Sequence, residues 1–357
     1  MDAGTAKRLA RDWVISEQSA WPGFRAAHLV GGLATLPDQA SFPAYKDVDL
    51  HLILAEGSPA LQSTGPFLNI LETKYAGIII EAGIKSEREY ASPEVVLSNP
   101  EIAYHLTVAS TLSDPQGLLA NLAEPVRRSY RRRCWVQARV AFERTGLEGT
   151  LRALPVVRAA SDLSGAFLTL GYSCIYAAAA LSVAALRPPR IGSQVLVSLR
   201  GLLAEYGHPM LYEDVLGVFG VQRAAPERVA PLLREGAELF DHAVRVRRTP
   251  HPFQHKLHAH LRPYFVDSCA AMLAAGDHRE ALAWLAAYYL ACCDVLCADG
   301  PEEEKPARAR QRGAFLAEFG ITSEAAFAVR LEQAHGAHAG CFALANEILA
   351  SHTGIID

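Results

Sequence analysis

The sequence lacks the features that mark several common classes of protein. It has no Cys-x-x-Cys pair, and its seven cysteines are irregularly spaced, which favours reduced thiols over a disulfide framework. The N-terminal segment has no apolar core of a secretory signal. The longest apolar run, residues 174–186, is shorter than the roughly 20 residues that a bilayer span needs. We therefore expect a cytoplasmic protein that does not enter a membrane.

Three common motifs of catalysis and nucleotide binding are also missing. The chain has no Gly-x-Ser-x-Gly elbow, no Gly-x-x-x-x-Gly-Lys-Ser/Thr loop and no Gly-x-Gly-x-x-Gly turn after a strand. The net charge of −4 argues against a nucleic-acid partner, because such binders normally carry a broad basic surface. With 357 residues, half of them hydrophobic, the chain is globular and long enough for two or three domains.

The pattern of apolar residues changes near residue 115. Before it, short apolar runs predict a helix over residues 5–17, strands near residue 30 and over 48–54 and 74–84, and a short helix that Ser92 caps and Pro93 begins. After it, almost every segment has helical periodicity. The predicted fold class is α+β. A small mixed-sheet domain over residues 1–112 precedes a helical bundle over 113–357, in which a break near 222–226 could separate two sub-bundles.

Proline and glycine punctuate the predicted helices of the second domain. These helices cover residues 115–144, 163–186, 193–206, 209–219, 227–244, 252–274, 279–296, 302–319 and 323–350. We expect the first of them to be one long helix that Gly146 closes.

Acidic residues interrupt two of the predicted strands. Asp47 and Asp49 stand two positions apart, so the alternation of side chains along a strand places them on one face. Glu81 follows three isoleucines, and an ionised carboxylate in a buried strand needs a partner. A divalent metal shared with the aspartates would be one such partner; the alternative is a Glu at a strand edge that faces solvent. Together with a glycine turn at Gly31-Gly32, this pattern indicates a phosphoryl or nucleotidyl transferase.

The pattern Gly31-Gly32, Asp47-x-Asp49 and Glu81 resembles the nucleotidyltransferase fold shared by DNA polymerase beta and the aminoglycoside and lincosamide nucleotidyltransferases. In the antibiotic nucleotidyltransferases a helical bundle likewise follows the α/β unit. The resemblance implies that Gly31 and Gly32 face the triphosphate of ATP or another NTP. It also implies that Asp47 and Asp49 bind Mg²⁺, and that Glu81 is either the third metal ligand or the general base.

The sequence departs from the family motif at two positions. The second glycine of the turn is often Ser in the family and is Gly32 here, so only its backbone N–H can meet a phosphate. The residue before the first Asp is often Ser and is Lys46 here. We include Lys46 with Gly31 and Gly32 among the expected nucleotide-binding residues.

The resemblance implies a magnesium-dependent enzyme that transfers a nucleoside monophosphate to a hydroxyl of a small molecule such as an antibiotic or a natural-product metabolite. AMP from ATP is the first choice, and the acceptor is expected between the α/β domain and the bundle. Two alternatives stay open. The chain could be a non-catalytic or regulatory nucleotide-binding member of the fold, which the changes at Gly32 and Lys46 favour, or it could act on a macromolecule.

A run of arginines over residues 127–133 forms like-charge pairs at i and i+4 if it is helical, so an acidic partner is expected nearby. That partner is either the nucleotide triphosphate or carboxylates of the bundle. His251, His255 and His258 share one face of a predicted helix and could bind zinc, or simply form a polar face. His51 alternates in phase with the two aspartates and could line the same pocket, or simply be packed.

Overall fold

The computed structural model describes residues 1–61, 69–160, 163–188 and 192–357. The chain forms two compact units. Unit 1 comprises Met1–Phe142, Val183–Pro189 and Ser351–Asp357, and unit 2 comprises Glu143–Ser182 and Arg190–Ala350. The predicted boundary between the two domains, after residue 112, lies inside unit 1, so this unit contains helices from the predicted bundle as well as the sheet.

Unit 1 is built on a five-stranded mixed sheet with the strand order β3-β4-β2-β1-β5. The pair β2–β4 is parallel and the other neighbouring strands are antiparallel. The predicted α+β class, with a mixed sheet in the N-terminal part followed by helices, is confirmed at this level. The strands are β1 (Phe24–Leu29), β2 (Asp47–Leu54), β3 (Ile70–Tyr75), β4 (Ile78–Ser86) and β5 (Thr111–Ser113).

Helices cover both faces of this sheet. Helix α1 (Ala3–Glu17) packs on the face that receives Val48, Leu50 and Leu52 of β2. The other face packs against α2 (Pro93–Ser98), α3 (Pro100–His105) and α4 (Leu118–Ser129). Since side chains alternate along a strand, the odd-numbered residues of β2 point to this second face.

The predicted single strand over residues 74–84 is wrong. The chain forms a hairpin in which Ala76 and Gly77 connect β3 to β4, and both turn residues have a positive φ, of 45° and 89°. Two-residue hairpins favour such a backbone because its twist matches that of the strands. The hairpin therefore adds an edge strand to the sheet, and β3 lies directly beside Glu81 of β4.

The predicted long helix over residues 115–144 is also wrong. Helix α4 ends at Ser129, and α5 (Arg133–Ala160) begins after a short break and continues past Gly146. A Cβ atom at Gly146 would lie 2.8 Å from Cδ1 of Tyr176. Gly146 therefore leaves room for an aromatic ring and does not end the helix.

The arginine run contacts the segment around Ile356. The N–H of Arg133 donates to the carbonyl of Ile356 (2.7 Å), and the N–H of Ile356 donates to the carbonyl of Arg131 (3.0 Å). The Arg133 side chain pairs with Asp357 at 2.6 Å, and Arg127 pairs with Glu124 at 2.7 Å. Of the two partners expected for this run, a nucleotide triphosphate or carboxylates of the protein, the structure shows carboxylates beside Arg127 and Arg133.

Most of the remaining chain is helical, and the predicted helices are found with one exception. Over residues 252–274 only two short turns, Gln254–Lys256 and Ala259–Leu261, and a π-helical turn, Pro263–Asp267, precede the helix Ser268–Ala274. The histidines at 251, 255 and 258 therefore share no helix face, and the zinc interpretation loses its geometric basis. The helices are α6 (Leu163–Ala184), α7 (Val195–Glu205), α8 (Pro209–Phe219), α9 (Pro226–Val246), α10 (Ser268–Ala274), α11 (His278–Asp299), α12 (Lys305–Glu318) and α13 (Glu324–Ser351).

Two helices have the length and hydropathy of a membrane span, α6 and α11. The most apolar windows of these helices are 67% and 72% buried, respectively. Core helices of globular proteins have the same properties, so length and hydropathy alone assign neither helix to a membrane. The apolar run over residues 174–186 is shorter than a span, but the helix that contains most of it has 22 residues.

Candidate metal centre

Three carboxylates meet on one face of the sheet, as the strand periodicity predicts. Asp47 and Asp49 lie on β2 and point to the same side. The parallel register places Glu81 of β4 directly beside Asp49, so its side chain points to that side too. One oxygen of each carboxylate lies within 4.8 Å of the others, and all three residues are half-buried. The site lies entirely within unit 1.

The donor set of this cluster fits a hard divalent cation. Like charges directly opposite each other on neighbouring strands destabilise a sheet, and a cation bound between Asp49 and Glu81 would offset this repulsion. Mg²⁺ and Ca²⁺ take carboxylate oxygens as ligands, whereas Zn²⁺ sites usually contain nitrogen or sulfur. The spacing of the oxygens allows a single ion to bridge all three carboxylates.

Gly31 touches the site through the carboxylate of Asp49. Its φ is +64°, a conformation that favours glycine, and a Cβ atom there would overlap Oδ2 and lie 2.8 Å from Cγ of Asp49. The neighbouring N–H of Val30 donates to the Asp49 carbonyl at 2.9 Å, which holds this turn against β2. Gly31 thus provides the space in which the Asp49 carboxylate lies. Its predicted contact with a triphosphate stays a prediction.

The other two expected nucleotide-binding residues lie at the edges of this site. Gly32 has an ordinary φ of −68° and precedes the short turn Leu33–Thr35. Lys46 directly precedes β2, and its N–H donates to the carbonyl of Pro43 at 3.1 Å. Their position next to Gly31 and Asp47 is that of the sequence motif, and their role toward a nucleotide is a prediction.

Sequence reasoning missed a fourth carboxylate on the same face. The antiparallel register pairs Glu72 of β3 with Glu81, so Glu72, Glu81 and Asp49 form a row across three adjacent strands. Lys74, two positions further along β3, points to the same side and is exposed. The predicted single strand over residues 74–84 leaves Glu72 outside the sheet, so it does not show this row. The dipeptide Ala76-Gly77 between two apolar runs was the available signal.

His51 lies on the same face but is not available to a substrate. Its ring is buried, Nδ1 lies 2.9 Å from the hydroxyl of Tyr90, and Nε2 lies 3.3 Å from Oε1 of Glu101. His28 is also buried and places Nε2 at 2.8 Å from the same Tyr90 hydroxyl. Of the two alternatives for His51, the structure shows the packed one, because the ring is buried and both of its nitrogens have partners.

Burial and charge shift the pKa values of these groups in opposite directions. Burial lowers the pKa of His28 well below its usual range, and the nearby His51 adds to this. Burial also raises the pKa of the Tyr90 hydroxyl well above its usual range. For Glu101, burial alone would raise the pKa, but His51 and Lys85 outweigh it and hold the pKa far below the usual value. Glu101 therefore carries its negative charge at all physiological pH values.

Comparison with models of known protein families found no match, and a search of characterised proteins found none either. The chemistry of this site is therefore interpreted from its own geometry. That geometry consists of a row of carboxylates on neighbouring strands, a glycine turn against one of them and a buried polar network beside them.

Proposed function

We propose that this chain is a magnesium-dependent nucleotidyltransferase that moves a nucleoside monophosphate, in the first instance AMP from ATP, to a hydroxyl group of a small molecule. The observation that carries the proposal is the gathering of Asp47, Asp49 and Glu81 on one sheet face with oxygens within 4.8 Å. The Gly31 turn against Asp49 supports it, because the same turn precedes the aspartates in the family motif.

The positions of the site residues suggest a separate role for each of them in the proposed reaction. Asp47 and Asp49, on one strand, would hold the metal between them. When bound, Mg²⁺ neutralises negative charge on the phosphates of the nucleotide. Glu81 is beside Asp49, where it either completes the ligand set or accepts the proton that the acceptor hydroxyl must lose. Gly31, together with Gly32 and Lys46, would lie along the triphosphate.

The test of this proposal is a transfer assay read by mass spectrometry. The protein is incubated with Mg²⁺, each of the four NTPs and a panel of aminoglycosides, lincosamides and sugar-like metabolites. A gain in acceptor mass equal to one nucleoside monophosphate supports the proposal. Magnesium-dependent nucleotide binding with no transfer to any acceptor would instead support the regulatory alternative, and transfer to protein or RNA the macromolecular one.

Asp47→Asn and Asp49→Asn should each abolish the transfer while the protein stays folded. An amide keeps the shape of the side chain but removes the charge that holds a divalent cation. Asp38→Asn is a matched control, because Asp38 is an exposed aspartate of the same unit that pairs with Lys7 at 3.0 Å. Transfer at the wild-type rate in either site variant would show that the metal centre is assigned to the wrong residues.

A further inference from the structure

Strand β3 lies at one edge of the sheet, and among the described residues β4 is its only strand neighbour. The N–H of Ile84 donates to the carbonyl of Asn69 at 2.7 Å, so these residues are a hydrogen-bonded pair of the hairpin. Hydrogen-bonded and non-hydrogen-bonded pairs alternate along an antiparallel ladder, so the odd-numbered residues of β3 direct their backbone groups to β4. The even-numbered residues, which include Glu72 and Lys74, direct theirs outward. Such an edge is a template for another strand.

The two faces of β3 differ in chemistry, and Thr73 is the midpoint of both. On the face of the carboxylate centre, Glu72 and the exposed Lys74 lie on either side of it. On the opposite face, Leu71 and Tyr75 lie on either side of Thr73 itself and pack against the apolar core that β2 and α1 share. A strand with opposite charges and with apolar side chains at equal distances from its midpoint is complementary to a second copy of itself.

Charge selects one register for such a pairing. Two β3 strands related by a two-fold axis keep their backbone hydrogen bonds only if the axis passes through a residue, because even-numbered residues must then meet even-numbered ones. An axis at Glu72 would oppose two glutamates, and an axis at Lys74 would oppose two lysines. An axis at Thr73 instead opposes Glu72 of each copy to Lys74 of the other. Opposite charges across strands stabilise a pair and like charges destabilise it.

The register centred on Thr73 also suits the other face of the strand. It opposes the two threonines, a cross-strand pair that stabilises sheets. It also opposes Leu71 of each copy to Tyr75 of the other. Both side chains are half-buried in the single chain, so this contact removes further apolar surface from water.

We propose that the protein forms a symmetric dimer in which β3 pairs with β3 of a second copy about an axis at Thr73. The partner is a second copy because both faces of β3 complement β3 itself, which a two-fold interface requires. The two five-stranded sheets then form one continuous sheet. Lysines on edge strands commonly prevent such pairing, but in this register each Lys74 meets Glu72 of the other copy. The inference does not depend on nucleotide transfer.

The second copy contributes a charged side chain to the end of the carboxylate row. Within one chain, Glu72 faces Glu81 across the hairpin. In the dimer it also faces Lys74 of the second copy on its other side. Neighbouring strands are about 4.8 Å apart, so that lysine stands beside Glu72 but about two strand spacings from Glu81. It therefore offsets the charge of Glu72 and leaves the space between Asp49 and Glu81 open to a metal ion.

Sedimentation velocity on the full chain tests the dimer. A single-strand pairing is a small interface, so we expect a monomer–dimer equilibrium that depends on concentration. Glu72→Lys and Lys74→Glu should each raise the dissociation constant about 10- to 100-fold, because each opposes like charges in both pairs across the axis. An equimolar mixture of the two variants should restore the dimer, since every pair across the axis is then again between opposite charges. Restoration by mixing also shows that both variants are folded.

Disulfide trapping tests the position of the axis. The two copies of Thr73 form a non-hydrogen-bonded pair with Cα atoms about 4.5 Å apart, which a disulfide can span. Thr73→Cys should therefore form a linked dimer with oxidised glutathione, in a Cys134→Ser background that removes an exposed cysteine of the native chain. Thr111→Cys in the same background is the matched control, because Thr111 is an exposed threonine of β5, at the other edge of the sheet. It should remain a monomer on a non-reducing gel.

Several results would overturn the dimer. One is a wild-type protein that stays monomeric at its highest soluble concentration. Another is a dimer that both charge reversals leave intact, or variants that dissociate and do not associate when mixed. A third is a dimer that Thr111→Cys links more readily than Thr73→Cys. These measurements need neither nucleotide nor metal, so failure of the dimer and failure of the proposed transfer reaction are observed separately.

Discussion

At the scale of single residues, the site is a concentration of negative charge that the fold must tolerate. Asp49, Glu81 and Glu72 are direct neighbours across three strands, so Glu81 faces a like charge on each side. Opposed like charges destabilise a sheet by a few tenths of a kcal/mol to about 1 kcal/mol per pair. A row of this kind is expected where binding a cation matters more than the stability of the free protein.

Glu81→Gln should therefore have opposite effects on stability without and with magnesium. Without Mg²⁺, the variant should be more stable than wild type by up to about 1 kcal/mol, since it lacks the repulsion. With Mg²⁺, wild type should gain stability by mass action and the variant should gain less. Thermal unfolding with EDTA and with Mg²⁺ measures both effects, and equal midpoints under both conditions would contradict the prediction.

The same variant distinguishes the two roles of Glu81. If Glu81 is the general base, single-turnover transfer should slow by about 10²- to 10⁴-fold while nucleotide binding is unchanged. If it is a metal ligand, binding should weaken as well. Unaltered kinetics and binding would remove Glu81 from the site.

Gly31→Ala should remove metal binding through a single methyl group. The positive φ costs an alanine about 1–2 kcal/mol, and the new Cβ would displace the Asp49 carboxylate. Gly57→Ala is the matched control, because Gly57 has a φ of +84° with nothing within 4 Å of the added atom. Both variants should lose similar backbone stability in urea unfolding, and only Gly31→Ala should lose Mn²⁺ binding. Intact binding in that variant would show that the Gly31 turn does not shape the site.

At the scale of helices, one buried arginine joins three of them. Arg139 of α5 is fully buried and donates to the carbonyls of Leu97 (3.1 Å) and Tyr130 (2.6 Å), at the C-terminal ends of α2 and α4. Such carbonyls have no partner within their own helix, and a cation near a helix C-terminus is favourable. The guanidinium also lies over the Tyr130 ring at 4.2 Å. Burial lowers the pKa of Arg139.

Arg139→Met should destabilise unit 1 strongly. It leaves the Leu97 and Tyr130 carbonyls buried without a donor, at a cost of about 1–3 kcal/mol for each. Arg128→Met is the control, because the Arg128 side chain is 71% exposed and should change stability by no more than about 0.5 kcal/mol. Urea midpoints followed by circular dichroism compare the two, and similar midpoints would contradict the structural role of Arg139.

In unit 2, the last residue of α11 links this helix to the segment after α9. Asp299 accepts hydrogen bonds from the N–H (2.8 Å) and hydroxyl (2.6 Å) of Thr249, and also from the N–H of Arg248. The hydrogen bond from the Arg248 backbone, followed by those from Thr249, lowers the pKa of Asp299 to about 2. The folded pKa thus lies below the unfolded value of about 3.9, so the carboxylate stabilises unit 2 above that pH and loses this effect as the pH falls through about 2.

Asp299→Asn should therefore destabilise unit 2 by about 1–2 kcal/mol near neutral pH, with the difference from wild type shrinking as the pH falls from about 4 to 2. Urea unfolding over this pH range, measured on both proteins, checks the prediction. A difference that does not change with pH would show that the Asp299 hydrogen bonds do not depend on its charge.

Apolar periodicity predicts helices and strands correctly where one face of the element is buried. It predicts their ends less well, because the ends depend on turns and on contacts with distant residues. The amphipathic helix α1 and the capped start of α2 at Ser92 follow from local pattern. The dipeptide Ala76-Gly77 was the available signal for the hairpin, but both residues are apolar and continue the run from Tyr75 to Ile80, so apolar periodicity alone did not divide it. A glycine at position 146 predicts a helix end from local pattern alone, because the contact with Tyr176 that explains it is not visible in the sequence.

Some residues of the candidate site can likewise be predicted from local pattern, and others cannot. Asp47 and Asp49 could be paired from the period of one strand, and Glu81 from the next polar interruption. Glu72 needed the register of the hairpin, and the network needed contacts between residues as distant as His28 and Tyr90, 62 positions apart. Such contacts leave no local signature, because they depend on which elements the fold brings together.

At the scale of the whole molecule, unit 1 is assembled from three separate stretches of the chain. The second and third stretches are short. In the third, Ser351–Asp357, the backbone of Ile356 pairs with Arg131 and Arg133, more than 200 residues earlier. The side chains of Arg133 and Asp357, 224 positions apart, also pair. All of unit 2 lies between these partners in sequence. Contacts of such separation cost loop entropy before they contribute stability, and they slow folding.

This arrangement has a consequence for synthesis on the ribosome. Domains usually fold as they emerge, N-terminal first. The sheet that carries the carboxylates emerges early, yet the segment that pairs with the arginine run is translated only after unit 2. Until then, the nascent sheet would contain the mutually repelling carboxylates of Asp49, Glu81 and Glu72 without the segment Ser351–Asp357 that completes unit 1. A chaperone or a bound metal ion would therefore stabilise the nascent sheet most during this interval.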